Sequence, residues 1–156
     1  MLKEDDSSVH LRVMIIDDQA VMRKIIRGVL LDAGLKEFLE AENGSDAFDK
    51  LTDPDLEYPD IIISDLHMEE MSGTEFIHKL RRNKAVRNPE VPVIVLTGES
   101  QKLVLEVAAQ VGANAILQKP VSAEQMRETI MTVIGYQFEA QTSNGPAGLK
   151  ALTAGS

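Results

Sequence analysis

The amino-acid sequence predicts an α/β fold, a doubly wound parallel sheet of five strands with five helices on its two faces. Short apolar runs without polar alternation, which suit strands buried on both faces, alternate along the chain with segments of helical periodicity. Such alternation is typical of parallel sheets with right-handed crossovers. The clearest run, at residues 61–63, is three isoleucines followed by Ser64 and a single carboxylate, Asp65.

The first half of the chain contains three predicted strands and two predicted helices. The strands are the apolar runs at residues 13–16, 38–41 and 61–63. Apolar residues recur at helical spacing from Ala20 until Gly34, a glycine suited to end a helix. The apolar positions of this first helix are Val21, Ile25, Ile26, Val29 and Leu30. Asn43-Gly44 forms a turn before a short helix that carries Ala47, Phe48 and Leu51.

The second half completes the pattern with three helices and two strands. The third helix opens at residues 71–73 and closes at Asn83 and the Asn88-Pro89 pair. Residues 91–96 and 115–118 are the last two strands, and Pro92 fits only near the start of its strand. The fourth helix is marked by Leu103, Val104, Val107, Ala108 and Val111, with Gly112 as its stop. The fifth helix starts with capping-box spacing at residues 122–125 and presents Met126, Ile130, Val133 and Ile134.

Length and composition restrict the classes of protein. The chain has 156 residues, enough for one domain with a core of its own, and we expect that domain at residues 9–138. Residues 1–8 are polar and aperiodic, which predicts a flexible lead-in. Residues 139–156 are rich in small and polar residues, which predicts a disordered tail.

Charge and cysteine content indicate the surroundings. The 25 acidic and 16 basic residues give a net charge of −9, which disfavours direct nucleic-acid binding. We interpret the basic cluster at residues 79–84, with Arg87, as the solvated end of a helix. Cysteine is absent, and no apolar run approaches the roughly 20 residues of a membrane span. We therefore expect a cytoplasmic protein without a membrane span.

Every chemically unusual residue lies at the carboxyl end of a predicted strand. Asp17 and Asp18 follow the first strand, Asp65 the third, Thr97 the fourth and Lys119 the fifth. An aspartate at a strand end more often forms a turn or caps a helix than performs chemistry. Since the carboxyl ends of parallel strands share one edge, five polar residues of complementary chemistry there favour a functional site.

Three converging carboxylates repel one another, so either some are protonated or a cation lies among them. Oxygen ligands without cysteine or clustered histidine favour a hard ion, and Mg²⁺ is our first choice. Asp65 could then act as a nucleophile toward phosphorus. Lys119 would pair with a phosphoryl oxygen, Thr97 would donate its hydroxyl, and Gly98 would leave space for the incoming group.

These residues together resemble a known family. Asp17-Asp18, Asp65 followed by Met68, Met71 and Gly73, Thr97-Gly98, and Lys119-Pro120 match, in order and spacing, the receiver domain of two-component response regulators. Residues 17–27 look particularly like the stand-alone chemotaxis-type regulators, the CheY-like proteins. The resemblance implies a flavodoxin-like sheet with strand order 2-1-3-4-5, an order taken from that family and not from the residues of this chain.

The resemblance also implies roles for individual residues. Asp65 is then the phospho-acceptor; Asp18 and Asp65 bind Mg²⁺ directly, Asp17 binds it through water, and the backbone carbonyl of His67 completes the protein ligands. Thr97 and Lys119 contact the phosphoryl group, and the Lys119-Pro120 bond is expected to be cis.

Two positions depart from the family pattern. Glu69 stands where proline usually follows Met68, and Ile116 occupies a position that often holds a switching Tyr or Phe. We therefore expect the backbone after Thr97 and the fourth helix to carry the response. His67 and Glu99, each two residues after a site residue, are expected to project over the phosphoryl group and to modulate its hydrolysis.

The function indicated is a phosphorylation-dependent signalling switch and not a turnover enzyme. Chemotaxis is one pathway in which such a switch could act. Its expected partners are a sensor histidine kinase or phosphotransfer protein and a downstream protein target. One alternative is a metal-dependent phosphohydrolase with Asp65 as a transient nucleophile, although such enzymes usually carry an acid where His67 stands. Another is a receiver cut from a longer regulator, with the tail as the start of a linker.

Overall fold

The central sheet consists of five parallel strands in the order β2-β1-β3-β4-β5, as predicted. The computed structural model describes residues 10–142, and side chains up to residue 135. The strands are β1 Arg12–Ile16, β2 Glu37–Ala41, β3 Ile61–Ser64, β4 Val93–Thr97 and β5 Ala115–Gln118. The helices are α1 Ala20–Asp32, α2 Gly44–Leu51, α3 Gly73–Arg82, α4 Lys102–Gln110 and α5 Ala123–Thr142.

The three inner strands β1, β3 and β4 are buried on both faces. All three isoleucines of β3 have no exposed surface, which explains why this strand shows no polar alternation. Successive side chains point to opposite faces, so Ile62 packs in one core cluster and Ile61 and Ile63 in the other.

Each face of the sheet has its own hydrophobic cluster. One contains Phe76, Ile77 and Leu80 of α3, with side chains from α2 and α4. The other holds the sheet against α1 and α5, through Ile26, Leu30, Met126, Ile130 and Val133. Phe76 is fully buried, so truncation to alanine should cost about 3–5 kcal/mol of stability.

The predicted helix boundaries have identifiable caps. The Ser122 hydroxyl accepts the Gln125 backbone N–H at 3.0 Å, and the Gln125 side chain accepts the Ser122 N–H at 3.4 Å, so the capping box is confirmed. Gly34 ends α1 with a φ of 102°, a left-handed conformation that favours glycine.

Two apolar stripes that the periodicity assigned to the core lie in solvent. Val21 and Ile25 of α1 are 68% and 52% exposed, and Leu103 and Val107 of α4 are also exposed. Both helices carry apolar residues around more than half of their circumference. Periodicity therefore could not identify which stripe the sheet covers, and in α1 it is the stripe of Ile26 and Leu30.

The basic cluster is confirmed as the end of α3, with one correction. Lys79, Arg81 and Arg82 lie in the last turn of that helix. Arg81 is not part of a solvated face, because its guanidinium donates to the carbonyls of Pro89, Val91 and Gly112 and to the Asn114 side chain. It fastens α3 to the loop before β4 and to the loop before β5.

The ends of the described chain differ slightly from the expected boundaries. β1 begins at Arg12, and the predicted lead-in at residues 1–8 lies outside the described residues. α5 continues to Thr142, into the first residues of the expected tail, whose remainder also lies outside the described residues. Over residues 10–142, no helix is both long enough and apolar enough to span a membrane.

Candidate functional site

The parallel topology brings the predicted site residues to one edge of the sheet. Asp17, Asp65 and Lys119 directly follow β1, β3 and β5, and Thr97 is the last residue of β4. Because β4 lies between β3 and β5, Lys119 reaches across it, and its ammonium lies 3.5 Å from an oxygen of Asp65. The Lys119-Pro120 peptide bond is cis, as the resemblance implied.

The two carboxylate oxygens of Asp65 have different surroundings. Oδ1 accepts the backbone N–H of Leu66 at 2.7 Å, so this oxygen is held by the turn after β3. Oδ2 faces the Lys119 ammonium at 3.5 Å, which is beyond strong hydrogen-bond distance. Asp65 therefore presents one anchored oxygen and one oxygen that can react.

Asp17 is the most enclosed carboxylate of the site, with only 1% of its surface exposed. Its Oδ1 accepts the Gln19 N–H at 2.9 Å, whereas its buried Oδ2 has no hydrogen-bond partner among the described residues. The Lys119 ammonium lies 3.8 Å from this Oδ2. Burial raises the pKa of Asp17, and the charge of Asp65 adds to this, although the Gln19 N–H and Lys119 oppose it.

Asp18 completes the acidic group from the solvent side. It is exposed, and its Oδ2 accepts the backbone N–H of Glu69 at 3.2 Å. This contact joins the turn after β1 to the loop after β3. Glu69 stands where the family usually has proline. Proline has no backbone N–H and could not donate this hydrogen bond.

The residues present fit a hard divalent cation. The buried Oδ2 of Asp17 has no hydrogen-bond partner among the described residues, and a buried oxygen without a partner costs free energy. A cation, or a water molecule bound to it, would supply that partner. Among residues 10–142, no three Asp, Glu, His or Cys side chains are grouped so that they could hold a metal ion alone. A cation here would therefore need other oxygen ligands, such as a backbone carbonyl or water.

Thr97 is fully buried at the end of β4. Its hydroxyl oxygen accepts the backbone N–H of Glu99 at 3.1 Å, which leaves the hydroxyl proton free for donation. Its carbonyl accepts the Lys119 N–H at 2.8 Å, so the two residues are fixed to each other through the backbone. Open space surrounds Gly98, and an added Cβ would meet nothing within 4 Å. The room beside Thr97 thus does not depend on glycine.

His67 and Glu99 contact each other, a pairing that sequence reasoning did not foresee. His67 Nε2 lies 2.8 Å from Glu99 Oε1, with 64% of the His67 side chain and 16% of the Glu99 side chain exposed. The other oxygen of Glu99 accepts the Gln101 N–H at 2.8 Å. The Gln101 N–H and then His67 hold the pKa of Glu99 below its usual value. The pair links the segment after β3 to the segment after β4.

The supporting contacts of two residues were missed at the sequence level. The Gly73 position lies against the backbone of Asp65, where an added Cβ would be 2.1 Å from the Asp65 carbonyl oxygen. The Arg23 guanidinium donates to the Asp17 carbonyl at 2.8 Å. Gly73 was noted as a helix start and as part of the family motif, but neither observation indicated its contact with Asp65. Nothing in the spacing of Arg23 distinguished it from a surface cation.

Comparison with known proteins agrees with this geometry. A family model described as the response regulator receiver domain matches residues 13–131. Chemotaxis protein CheY1 of Helicobacter pylori is 32% identical over 125 residues, which cover 80% of this chain and 98% of that protein. The chemotaxis protein CheY homologue of Campylobacter jejuni is 33% identical over 80% of this chain and 93% of its own.

Solved structures give the same result. Chemotaxis protein CheY4 of Vibrio cholerae superposes with a TM-score of 0.68 at 30% identity, over 80% of this chain and 99% of that chain. A response regulator receiver domain protein from Clostridium thermocellum gives a TM-score of 0.71 at 25% identity, over 82% and 97% of the two chains. By its sequence, its fold and its strand-end residues, the chain belongs to the family of response regulator receiver domains.

Proposed function

We propose that this receiver domain is a phosphorylation-dependent switch in which Asp65 accepts a phosphoryl group from a sensor histidine kinase or a phosphotransfer protein. Phosphorylation then changes its affinity for a downstream protein, and the similarity to chemotaxis proteins favours a chemotaxis pathway. The observation that carries the proposal is the asymmetric carboxylate of Asp65, with one oxygen anchored by Leu66 and the other facing Lys119.

The chemistry follows from that asymmetry. A lone pair of Asp65 Oδ2 forms a bond to phosphorus while the P–N bond of the donor phosphohistidine breaks. The electron pair of that bond remains on the imidazole nitrogen, which is then protonated. The product is an acyl phosphate on Asp65, and positioning supplies most of the catalysis that such a transfer needs.

The other site residues serve binding and orientation. Lys119 would pair with a phosphoryl oxygen, and Thr97 would donate its free hydroxyl proton to another. Asp18, Asp65 and the backbone carbonyl of His67 would hold Mg²⁺ directly, and Asp17 through a water molecule. When bound, this ion supplies positive charge that offsets the carboxylates and the phosphoryl oxygens.

The loop between β4 and α4 offers a route from the site to a partner surface. The loop starts beside Thr97, and the Glu99 carboxylate holds the N–H of Gln101, the residue before α4. α4 itself is lightly anchored, since Ala108 is its one buried residue, and its Leu103 is 70% exposed. A change at Thr97 could therefore move α4 and alter the apolar surface that a partner meets.

We infer that the output is binding and not turnover. A phosphohydrolase of the aspartyl-phosphate type usually carries an acid two residues after the nucleophile. His67 stands there, and its ring is engaged by Glu99. The net charge of −9 also makes a protein target a better expectation than nucleic acid.

The direct test is chemical phosphorylation followed by mapping of the modified residue. The protein is incubated with acetyl phosphate, with Mg²⁺ or with a chelator, and the acyl phosphate is located by mass spectrometry. We expect labelling of Asp65 that requires the divalent ion, and no labelling in Asp65→Asn. Phosphate on another residue, or undiminished labelling of Asp65→Asn, would refute the proposal.

The switch is tested by structure determination with a beryllium fluoride mimic of the phosphoryl group. We expect a shift of the loop after Thr97 and of α4, with Ile116 nearly unchanged. A static α4 together with a large rearrangement at Ile116 would contradict the route described above.

A further inference from the structure

The acidic turn after β1 is contacted by a cationic side chain that belongs to α1. We propose that Arg23 is a positioning residue, which holds the Asp17-Asp18 turn in the geometry that receives Mg²⁺. The inference rests on the function proposed above, since it concerns the same ion. It adds a residue that also pairs with β2, the strand on the other side of β1 from β3.

The Arg23 guanidinium joins three parts of the fold. Its Nη1 donates to the backbone carbonyl of Asp17 at 2.8 Å, and its Nε donates to Glu40 Oε1 of β2 at 2.9 Å. Glu40 is fixed in turn, because its Oε2 pairs with Arg27 Nη2 at 2.8 Å. The Arg23 side chain is only 18% exposed, so its charge-assisted hydrogen bond to Glu40 is largely shielded from solvent.

The carbonyl of Asp17 is the part of the turn that needs an outside contact. The Asp17 N–H donates to the Ala41 carbonyl at 3.2 Å, and its Oδ1 accepts the Gln19 N–H. The carbonyl begins the peptide group that leads into Asp18. Fixing this peptide plane therefore fixes the positions of the Asp18 N and Cα atoms, from which its side chain extends.

Removal of Arg23 would have two effects of opposite sign on Mg²⁺ binding. Loss of a nearby positive charge favours a cation, whereas loss of the contact to Asp17 lets the turn move and disfavours it. The charge effect is small because Glu40 already compensates the guanidinium. Loss of a group that orients a metal ligand typically weakens metal binding about 10–100-fold, so the positional effect should dominate.

The experiment titrates Mg²⁺ into the unphosphorylated protein by calorimetry and follows the Gln19 amide by NMR. The variants are Arg23→Met and Arg23→Lys. The matched control is Arg27→Met, which removes a cation from the same Glu40 carboxylate but has no contact with Asp17. Thermal unfolding without Mg²⁺ shows that each variant is folded.

We expect the Mg²⁺ dissociation constant to rise about tenfold in Arg23→Met and to stay within about twofold in Arg27→Met. Arg23→Lys should also be weakened, since a single ammonium cannot reproduce the fork that bridges Asp17 and Glu40. Phosphorylation by acetyl phosphate should need more Mg²⁺ in Arg23→Met yet approach the wild-type rate at saturation.

The results separate this inference from the function on which it rests. Equal Mg²⁺ affinity in Arg23→Met and the wild type, or full affinity in Arg23→Lys, would overturn the positioning role alone. An equal loss in Arg27→Met would trace the effect to disturbance of the shared Glu40 carboxylate and not to the contact with Asp17, and would also overturn it. If the wild type itself neither binds Mg²⁺ nor is phosphorylated at Asp65, the proposed function fails first.

Discussion

The contact between Gly73 and the backbone of Asp65 gives a sharp test of how α3 supports the site. Gly73 is the first residue of α3, and its N–H donates to the Leu66 carbonyl at 2.7 Å. A Cβ added there would lie 2.1 Å from the Asp65 carbonyl oxygen and 2.9 Å from the Leu66 Cα. Both are backbone atoms, so the strain cannot be relieved by rotating a side chain.

The size of the effect follows from these distances. Ordinary van der Waals contact begins near 3.4 Å, so Gly73→Ala must separate α3 from the Asp65 peptide by about 1.3 Å. Forcing a methyl group into a well-packed place costs typically about 1–3 kcal/mol, and the higher helix propensity of alanine returns at most about 1 kcal/mol. A displacement of about 1 Å at a reacting group can slow chemistry about 100-fold.

Gly28 of α1 is the matched control, because a Cβ added there would meet nothing within 4 Å. We expect Gly28→Ala to be neutral or to stabilise the protein by up to about 1 kcal/mol, with normal phosphorylation. Gly73→Ala should lower the free energy of unfolding and slow labelling by acetyl phosphate. Urea unfolding followed by circular dichroism and a labelling time course measure the two effects. The reasoning is wrong if both alanine variants behave alike.

Further predictions concern the polar residues of the site. Thr97→Ala and Lys119→Ala should still accept a phosphoryl group but show smaller NMR shifts on phosphorylation, since differential contacts drive a population shift; undiminished shifts would count against this role. His67→Ala and Glu99→Ala should change the decay rate of the acyl phosphate while Mg²⁺ affinity stays nearly constant, and identical decay rates would exclude a part in signal lifetime. Burial raises the pKa of Asp17 above 3.8, so the folded protein holds that proton more tightly than the unfolded chain. In Mg²⁺-free buffer, the free energy of unfolding of Asp17→Asn should therefore exceed that of the wild type by an amount that grows as pH rises from 3.8 through the raised pKa. Urea unfolding at several pH values measures this difference, and a constant difference would contradict the prediction.

Much of the fold could be predicted because the strongest signals are local. The isoleucine run of β3 and the polar residues at the strand ends depend only on neighbours in sequence. The exposure of Val21 and Ile25 could not be predicted in the same way, because it depends on which side of α1 meets the sheet. The strand order came from the family resemblance, since no pattern in the chain specifies which strands are adjacent.

The functional site also has features that local sequence predicts and features that depend on the tertiary structure. Residue types at strand ends predicted which side chains would meet, and the structure brings Asp17, Asp65 and Lys119 within ion-pair distance. Their supporting contacts were hidden because they join residues far apart in sequence through atoms that any residue type could supply. Arg23 contacts the backbone carbonyl of Asp17, and Gly73 lies against the carbonyl of Asp65, so the identity of the contacted residue carried no signal.

The contacts of Glu99 suggest how this chain could switch without an aromatic residue at position 116. One carboxylate oxygen of Glu99 pairs with His67, the other holds the N–H before α4, and its carbonyl accepts the Gln118 side chain at 2.6 Å. A phosphoryl group on Asp65 would add negative charge at the strand edge that this loop borders, and it would accept the free proton of the Thr97 hydroxyl, whose oxygen accepts the Glu99 N–H. Like charges at short range repel, so the loop would move away from β3. Because Ala108 is the one buried residue of α4, we expect that movement to need only a small free energy, and we expect the signal to reach α4 without a side-chain rotation at Ile116.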